Sequence, residues 1–198
     1  MKPSPALRRL LLASSMLAAT HTVQADLYWD TNGTDPGFGA AGGTWGVDAF
    51  WNTDATGGDA GLFDDETFTT DSLNFGTAED GLGEGTVTVS GTVDSGNMTF
   101  GSASEFITLT GGTINFASDA IIDFANESNT ISSDITSTGD LEFRSSLSST
   151  GEPHVNTLGT ISNSGNVTFN AFGGSWKRQH HFPIERCQRL HWKHQPRS

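Results

Sequence analysis

A short unit, made of an aliphatic residue, one polar residue and then phenylalanine, recurs along the middle of this chain. On a β-strand, residues two apart point to the same face, so each copy places its aliphatic and aromatic side chains together and its polar residue on the opposite face. Glycine, asparagine, serine or aspartate separates the copies, as turns require. No helical periodicity competes with this pattern beyond the N-terminus, so we predict an all-β protein. The six copies end at Phe75, Phe100, Phe116, Phe124, Phe143 and Phe169.

The spacing of these phenylalanines indicates how the strands are arranged. They are separated by 25, 16, 8, 19 and 26 residues, an irregular period typical of coils of roughly two dozen residues, each divided into short strands. We therefore predict a right-handed parallel β-solenoid over residues 71–175, in which each coil stacks its inward side chains on those of the next. A β-sandwich remains the alternative, because strands spaced 8–12 residues apart also suit that fold.

Charge divides the chain into three segments. The net charge is -13, yet 22 of the 23 acidic residues lie within residues 26–175, where Arg144 is the one basic residue. Nucleic acid is disfavoured as a partner, because phosphate binding draws its affinity from clustered cations. The single cysteine excludes a disulfide framework within the chain and a cysteine-based zinc site.

Residues 1–25 have the pattern of a secretory signal peptide. A basic start is followed by an apolar run over residues 10–19, too short for the roughly 20 residues that span a bilayer, and Val23-Gln24-Ala25 supplies small residues before a cleavage site preceding Asp26. We expect an exported mature chain without a membrane-spanning segment.

Residues 26–70 are rich in tryptophan. Trp29, Trp45 and Trp51 fall within this block; buried, they would cap the open end of the solenoid, and exposed, they would stack on sugar rings. We favour the cap and keep the glycan-stacking alternative, which would make the protein a carbohydrate-binding module.

The same block carries a resemblance to a known family. Leu27-Tyr28-Trp29-Asp30-Thr31-Asn32-Gly33, then Gly43-Thr44-Trp45-Gly46, and later Thr110-Gly111-Gly112-Thr113-Ile114-Asn115-Phe116 resemble the start of bacterial autotransporter-associated β-strand repeat proteins. The resemblance covers about residues 26–175. It implies an exported, elongated, passenger-like solenoid at the cell surface, associated with the outer membrane. The Lys-Thr-Gly-x-Gly-x-Leu-x-Leu type of repeat common in that family is not found here.

Residues 176–198 differ in composition from everything before them. They contain no glycine, asparagine, threonine or aspartate, but hold six of the ten lysine and arginine residues and four of the six histidines. If the codons of this stretch are read one base later, they can encode glycine, asparagine or serine, and isoleucine or threonine, which are the residue types of the repeats. We therefore interpret it as a frameshifted, disordered basic tail that replaced further coils, and we expect the uncapped end to associate with other copies end to end.

Candidate chemical sites are few. Asp30, Asn32 and Asp35 resemble the start of an oxygen-ligand calcium loop, but the later bidentate glutamate of such a loop is missing, so we favour an Asx-rich turn and predict no metal site. For a catalytic alternative, Asp64, Asp65 and Glu66 could serve glycoside hydrolysis, and Arg144 could be the cationic base of a polysaccharide lyase-like β-helix. Nothing pairs these residues in sequence, so no catalytic residue and no cofactor is predicted. The favoured function is a secreted or cell-surface structural or adhesin-like protein without catalytic activity.

Overall fold

A computed structural model describes residues 24–58, 61–116, 119–126, 128–146 and 156–171, and the strands at 184–185 and 189–194. Every regular element in these ranges is a β-strand. In chain order the strands are β1 (Asp26–Trp29), β2 (Thr44–Trp45), β3 (Trp51–Asn52), β4 (Phe63–Asp64), β5 (Ser72–Phe75), β6 (Gly85–Val89), β7 (Thr92–Asp94), β8 (Asn97–Phe100), β9 (Ile107–Thr110), β10 (Thr113–Phe116), β11 (Ala120–Phe124), β12 (Asn129–Ile131), β13 (Asp134–Ser137), β14 (Leu141–Ser145), β15 (Thr157–Leu158), β16 (Ile161–Asn163), β17 (Asn166–Ala171), β18 (Ile184–Glu185) and β19 (Arg189–His194).

The strands form three sheets that run the length of a parallel β-solenoid. The first sheet has the order β19-β17-β14-β11-β8-β5-β1-β3-β4, the second β15-β12-β9-β6-β2, and the third β18-β16-β13-β10-β7. From β5 to β16 the chain visits the three sheets in turn, one strand each, and completes four coils. The solenoid prediction is confirmed and the sandwich alternative is wrong.

The interior is filled by the residues that the alternating pattern assigns to it. All six recurring phenylalanines are buried, the most exposed being Phe169 at 4%. Five of them lie in the first sheet, and Phe116 lies on β10 in the third. Full burial of a phenylalanine contributes roughly 1.5–3 kcal/mol, and stacking removes its remaining surface from water on both sides.

Register, rather than composition, determines which rings meet. Phe75, Phe100 and Phe124 lie opposite one another on β5, β8 and β11. Phe143 and Phe169 form a second aligned pair on β14 and β17. The two groups are offset by two residues, so the first sheet contains two short phenylalanine ladders rather than one.

The Trp-rich block covers the first coil. β1 pairs in parallel with β5 on one side and antiparallel with β3 on the other, and β3 pairs antiparallel with β4. These two antiparallel pairs interrupt the parallel stack at its N-terminal end. Trp29 on β1, Trp45 on β2 and Trp51 on β3 are all fully buried, as the cap interpretation predicts.

A buried amide cluster satisfies one corner between the first and second sheets. Asn126 and Asn129 are each at most 1% exposed and exchange side-chain hydrogen bonds with each other. Asn129 N donates to Asn156 Oδ1 at 2.9 Å, and Asn126 Nδ2 donates to the Glu105 carbonyl at 2.8 Å. These hydrogen bonds link three successive coils. They also give the buried amide groups at this corner hydrogen-bond partners, so the free-energy cost of burying unpaired polar groups is avoided.

The C-terminal segment differs from the prediction of a disordered tail at two places. β18 continues the third sheet beside β16, and β19 continues the first sheet beside β17, both in parallel. Leu190 and Trp192 lie opposite Val167 and Phe169 in the register of β19. The open edges of β16 and β17 present unpaired backbone groups, and a following segment that alternates apolar and polar residues can satisfy them.

The signal-peptide prediction falls on residues 1–23, which lie outside the described part of the chain. Within the part that is described, no helix has the length and apolar character needed to cross a bilayer.

Candidate functional site

The three tryptophans form a compact aromatic cluster. Trp51 meets Trp29 and Trp45 edge to face, with ring centroids 5.0 and 5.2 Å apart, and it contacts Phe75 of the first coil at 5.5 Å. Edge-to-face packing is favoured by the ring quadrupoles. Because all three indoles have no exposed surface, none offers a face to a sugar ring, and the glycan-stacking alternative is wrong for these residues.

Two indole nitrogens of the cluster are tied to the surrounding chain. Trp29 Nε1 donates to the Gly42 carbonyl at 3.0 Å, and Trp45 Nε1 donates to Thr67 Oγ1 at 3.1 Å. Thr67 Oγ1 in turn donates to the Asp94 carbonyl at 2.6 Å. This chain of hydrogen bonds joins the cap to the third sheet.

The calcium candidates are engaged in local hydrogen bonds. Asp30 is fully buried; its Oδ1 accepts from the backbone of Asn32 at 3.1 Å, and its Oδ2 accepts from Asn52 Nδ2 at 2.8 Å. Asn32 Nδ2 donates to the Pro36 carbonyl, and Asp35 is exposed. This arrangement is an Asx turn anchored to β3. In the described ranges, no group of three or more histidine, cysteine, aspartate or glutamate side chains could hold a metal ion.

The acidic catalytic candidates lie beside a shallow cavity. Asp64 Oδ1 accepts from the backbone nitrogens of both Asp65 and Glu66, which fixes a tight turn. Asp65 and Glu66 line a cavity of about 380 Å³ together with Asp94 and the half-exposed Phe68. Asp94, which the sequence analysis did not single out, reaches this site because β7 begins the third sheet next to the cap. Three carboxylates here would attract a cationic group.

Arg144 is held on the outer face of the first sheet. Its Nη2 lies 3.1 Å from Glu142 Oε1, and Asn170 Nδ2 donates to the same oxygen at 2.6 Å. The guanidinium of Arg144 therefore forms an ion pair with Glu142 on the same strand, β14. As a partly exposed pair it contributes at most about 1 kcal/mol.

Two other polar rows show how the outer faces are satisfied. On the third sheet, Asn115 Nδ2 donates to Asp94 Oδ1 at 2.7 Å, and Thr136 Oγ1 donates to Asn115 Oδ1 at 3.2 Å. At the start of the first-sheet strands, Asp140 Oδ1 accepts from both the backbone and the side chain of Asn166. These bonds from the Asn166 backbone and side chain lower the pKa of Asp140 below its ordinary value.

Tyr28, on the outer side of β1, also has a perturbed acidity. Partial burial first, and the neighbouring Asp26 carboxylate second, raise the pKa of its phenol.

The second sheet has a different outer face, built from threonine. Thr86, Thr108, Thr130 and Thr157 lie opposite one another on four successive strands. A parallel row consists of Thr44, Thr88 and Thr110. The sequence analysis missed these rows, because alternation assigns residues to faces and does not give the register between coils.

Comparison with known proteins gives no relative. No family model matches the chain, and neither a curated protein nor a solved structure matches it. The resemblance to autotransporter-associated repeat proteins therefore stays a prediction.

Proposed function

We propose that this protein is an exported, non-catalytic solenoid that acts at the bacterial cell surface as a structural or adhesin-like element. The observation that carries the proposal is the continuous parallel stacking of the first sheet from β5 to β17. Such a stack extends by adding coils, and most of the outward side chains on its three faces are polar. A structural or adhesive role depends on the length and the exposed surface of a protein, and stacked coils supply both.

The acidic balance supports the same role. All but one of the acidic residues lie within residues 26–175, which comprise the cap and the coils, and like charges keep elongated β-structures apart in solution. The candidate catalytic groups offer a weaker basis for function, because Arg144 is paired with Glu142 and the Asp64 carboxylate is used within its own turn.

Export is tested by expressing the full chain, with an epitope at its C-terminus, in a Gram-negative host. We expect the protein outside the cytoplasm with an N-terminus at Asp26. The matched control is Leu11→Arg, which interrupts the apolar run and should retain the protein inside the cell. A wild-type product that stays cytoplasmic and begins at Met1 would contradict the proposed location.

Self-association is tested separately by analytical ultracentrifugation of the purified chain. The ends of a stack leave strand edges that can pair with another copy. We expect the sedimentation coefficient to rise with protein concentration, and a single monomeric species at all concentrations would remove end-to-end assembly from the proposal.

A further inference from the structure

We propose that the outer face of the second sheet, defined by the strands β2, β6, β9, β12 and β15, binds the surface of ice. Two aligned rows of threonine run across this face: Thr86, Thr108, Thr130 and Thr157 in one, and Thr44, Thr88 and Thr110 in the other. Each of these residues carries one hydroxyl and one methyl group, and β6 and β9 carry a threonine of each row, so the two rows together form a small two-dimensional array of identical groups.

The spacing of the array is set by the backbone. Neighbouring strands lie about 4.8 Å apart, and residues two apart on one strand are separated by about 6.6 Å. Both intervals are close to oxygen repeats on the prism faces of hexagonal ice. A protein partner has no need of such periodicity, whereas a crystal of water repeats in both directions.

The hydroxyls of this array are available for water. In the described part of the chain, none of the seven threonine hydroxyls takes part in an intramolecular hydrogen bond, and none is buried without a partner. On the third sheet, by contrast, Asn115 and Thr136 bond to their neighbours across the coils. The threonine rows of the second sheet thus leave their hydroxyls to solvent, whereas Asn115 and Thr136 of the third sheet bond within the protein.

The face is also rigid and uncharged. Val87, Leu109 and Ile131, which alternate with the threonines, are buried to 1% exposure or less and fix the strands from inside. Threonine is branched at Cβ and has few side-chain conformations. No acidic or basic residue lies on the five strands, although the surrounding segment is strongly acidic. A fixed array therefore orders water with little further loss of entropy.

The test is the inhibition of ice recrystallisation by the purified full chain, together with its incorporation into a slowly grown ice hemisphere. Thr108→Lys places a charged, strongly hydrated group at the centre of the array. We expect it to raise the protein concentration needed to stop recrystallisation by about tenfold or more. The matched control is Thr99→Lys on the outer face of the first sheet, which should behave as the wild type.

Folding is checked in each variant by its thermal unfolding midpoint. If Thr108→Lys does not fold, Thr86→Lys on β6 tests the same row at an exposed position. A wild-type chain that is excluded from ice, or an equal loss in Thr99→Lys and the folded second-sheet variant, would overturn the proposal. So would retention by crystalline chitin or cellulose in place of ice. None of these results would affect the proposed surface role.

Discussion

Phe124 lies opposite Ser145 in the parallel pairing of β11 with β14, while Phe143 on the same strand as Ser145 lies opposite Ile122. At the other end of the pair, Ala120 lies opposite Leu141. The small inward residue therefore begins β11 but ends β14. The two strands fill a similar total volume with different orders of side chains, the kind of exchange that cores tolerate best. This is the point at which the first phenylalanine ladder ends and the second begins.

The first ladder supplies the clearest test of core stacking. Phe100 lies between Phe75 and Phe124, with ring centroids 5.2 and 5.1 Å away and interplanar angles of 15°. We expect Phe100→Ala to lower the free energy of unfolding by about 3–5 kcal/mol, because it removes a fully buried ring between two neighbours. The control is Thr99→Ala, the adjacent outward residue, which should change it by less than about 0.5 kcal/mol. Urea unfolding measures both; equal effects would contradict the assigned faces.

The Trp cap allows a paired comparison. Trp45 Nε1 donates to Thr67 Oγ1, whereas Trp51 Nε1 has no hydrogen-bond partner among the described residues. Replacement of either by phenylalanine removes a similar volume, but only Trp45→Phe breaks a hydrogen bond, and Trp51→Phe removes an unpaired buried donor. We expect Trp45→Phe to be the more destabilising by about 1–3 kcal/mol. Thermal unfolding of the two variants provides the measurement, and the reverse order would show that the cap is wrongly assigned.

Glycine conformation gives a third test in the turns between the second and third sheets. Gly91 has a φ of 65° with open space around it, and Gly112 has a φ of 40° with its Cβ position 2.5 Å from the Gly91 carbonyl oxygen. Gly91→Ala should cost about 1–2 kcal/mol for the left-handed backbone alone. Gly112→Ala adds a clash with backbone from the preceding coil and should cost more. Chemical denaturation of both variants checks the order.

The Asp140 row predicts a dependence of stability on acid. Because hydrogen bonds from Asn166 lower the pKa of Asp140 in the folded state, the carboxylate contributes stability above the unfolded pKa of about 3.9, and this stability is lost as the pH falls through the lower, folded value. Asp140→Asn should therefore unfold with a weaker pH dependence in this acidic range. Asn166→Ala, which removes the side-chain donor and keeps the carboxyl, should weaken it in part. A slope unchanged in both variants would refute the linkage.

The sequence was sufficient to predict which residues face inward. It was not sufficient to predict which residues of neighbouring coils lie opposite one another. Alternation assigned Phe75 and Phe143 to the interior, because burial follows from the local pattern alone. It could not align them, since register depends on the lengths of the intervening turns, and the coil between Ile122 and Phe143 is shorter than the one between Phe143 and Phe169. The same limit concealed the threonine rows.

The cap and the tail illustrate two further limits. The cluster of Trp29, Trp45 and Trp51 predicted a cap, yet the antiparallel pairs of β3 and β4 carry only two residues per strand and leave little sequence signal. In the tail, compositional change indicated disorder over residues 176–198. Residues 189–194 nevertheless form β19, because pairing with the edge of β17 satisfies the backbone hydrogen-bonding groups of β19 regardless of its composition.

The most direct measurement of the stacked register is disulfide formation between engineered cysteines, in a background with Cys187→Ser. Thr108 lies opposite Thr130 on adjacent parallel strands, at the Cα separation of about 5 Å that a disulfide accepts. We expect Thr108→Cys with Thr130→Cys to oxidise readily in the folded chain, whereas Thr108→Cys with Ser132→Cys, two residues out of register, should not oxidise. Efficient oxidation of the out-of-register pair, or none in the aligned pair, would contradict the stacking of the coils.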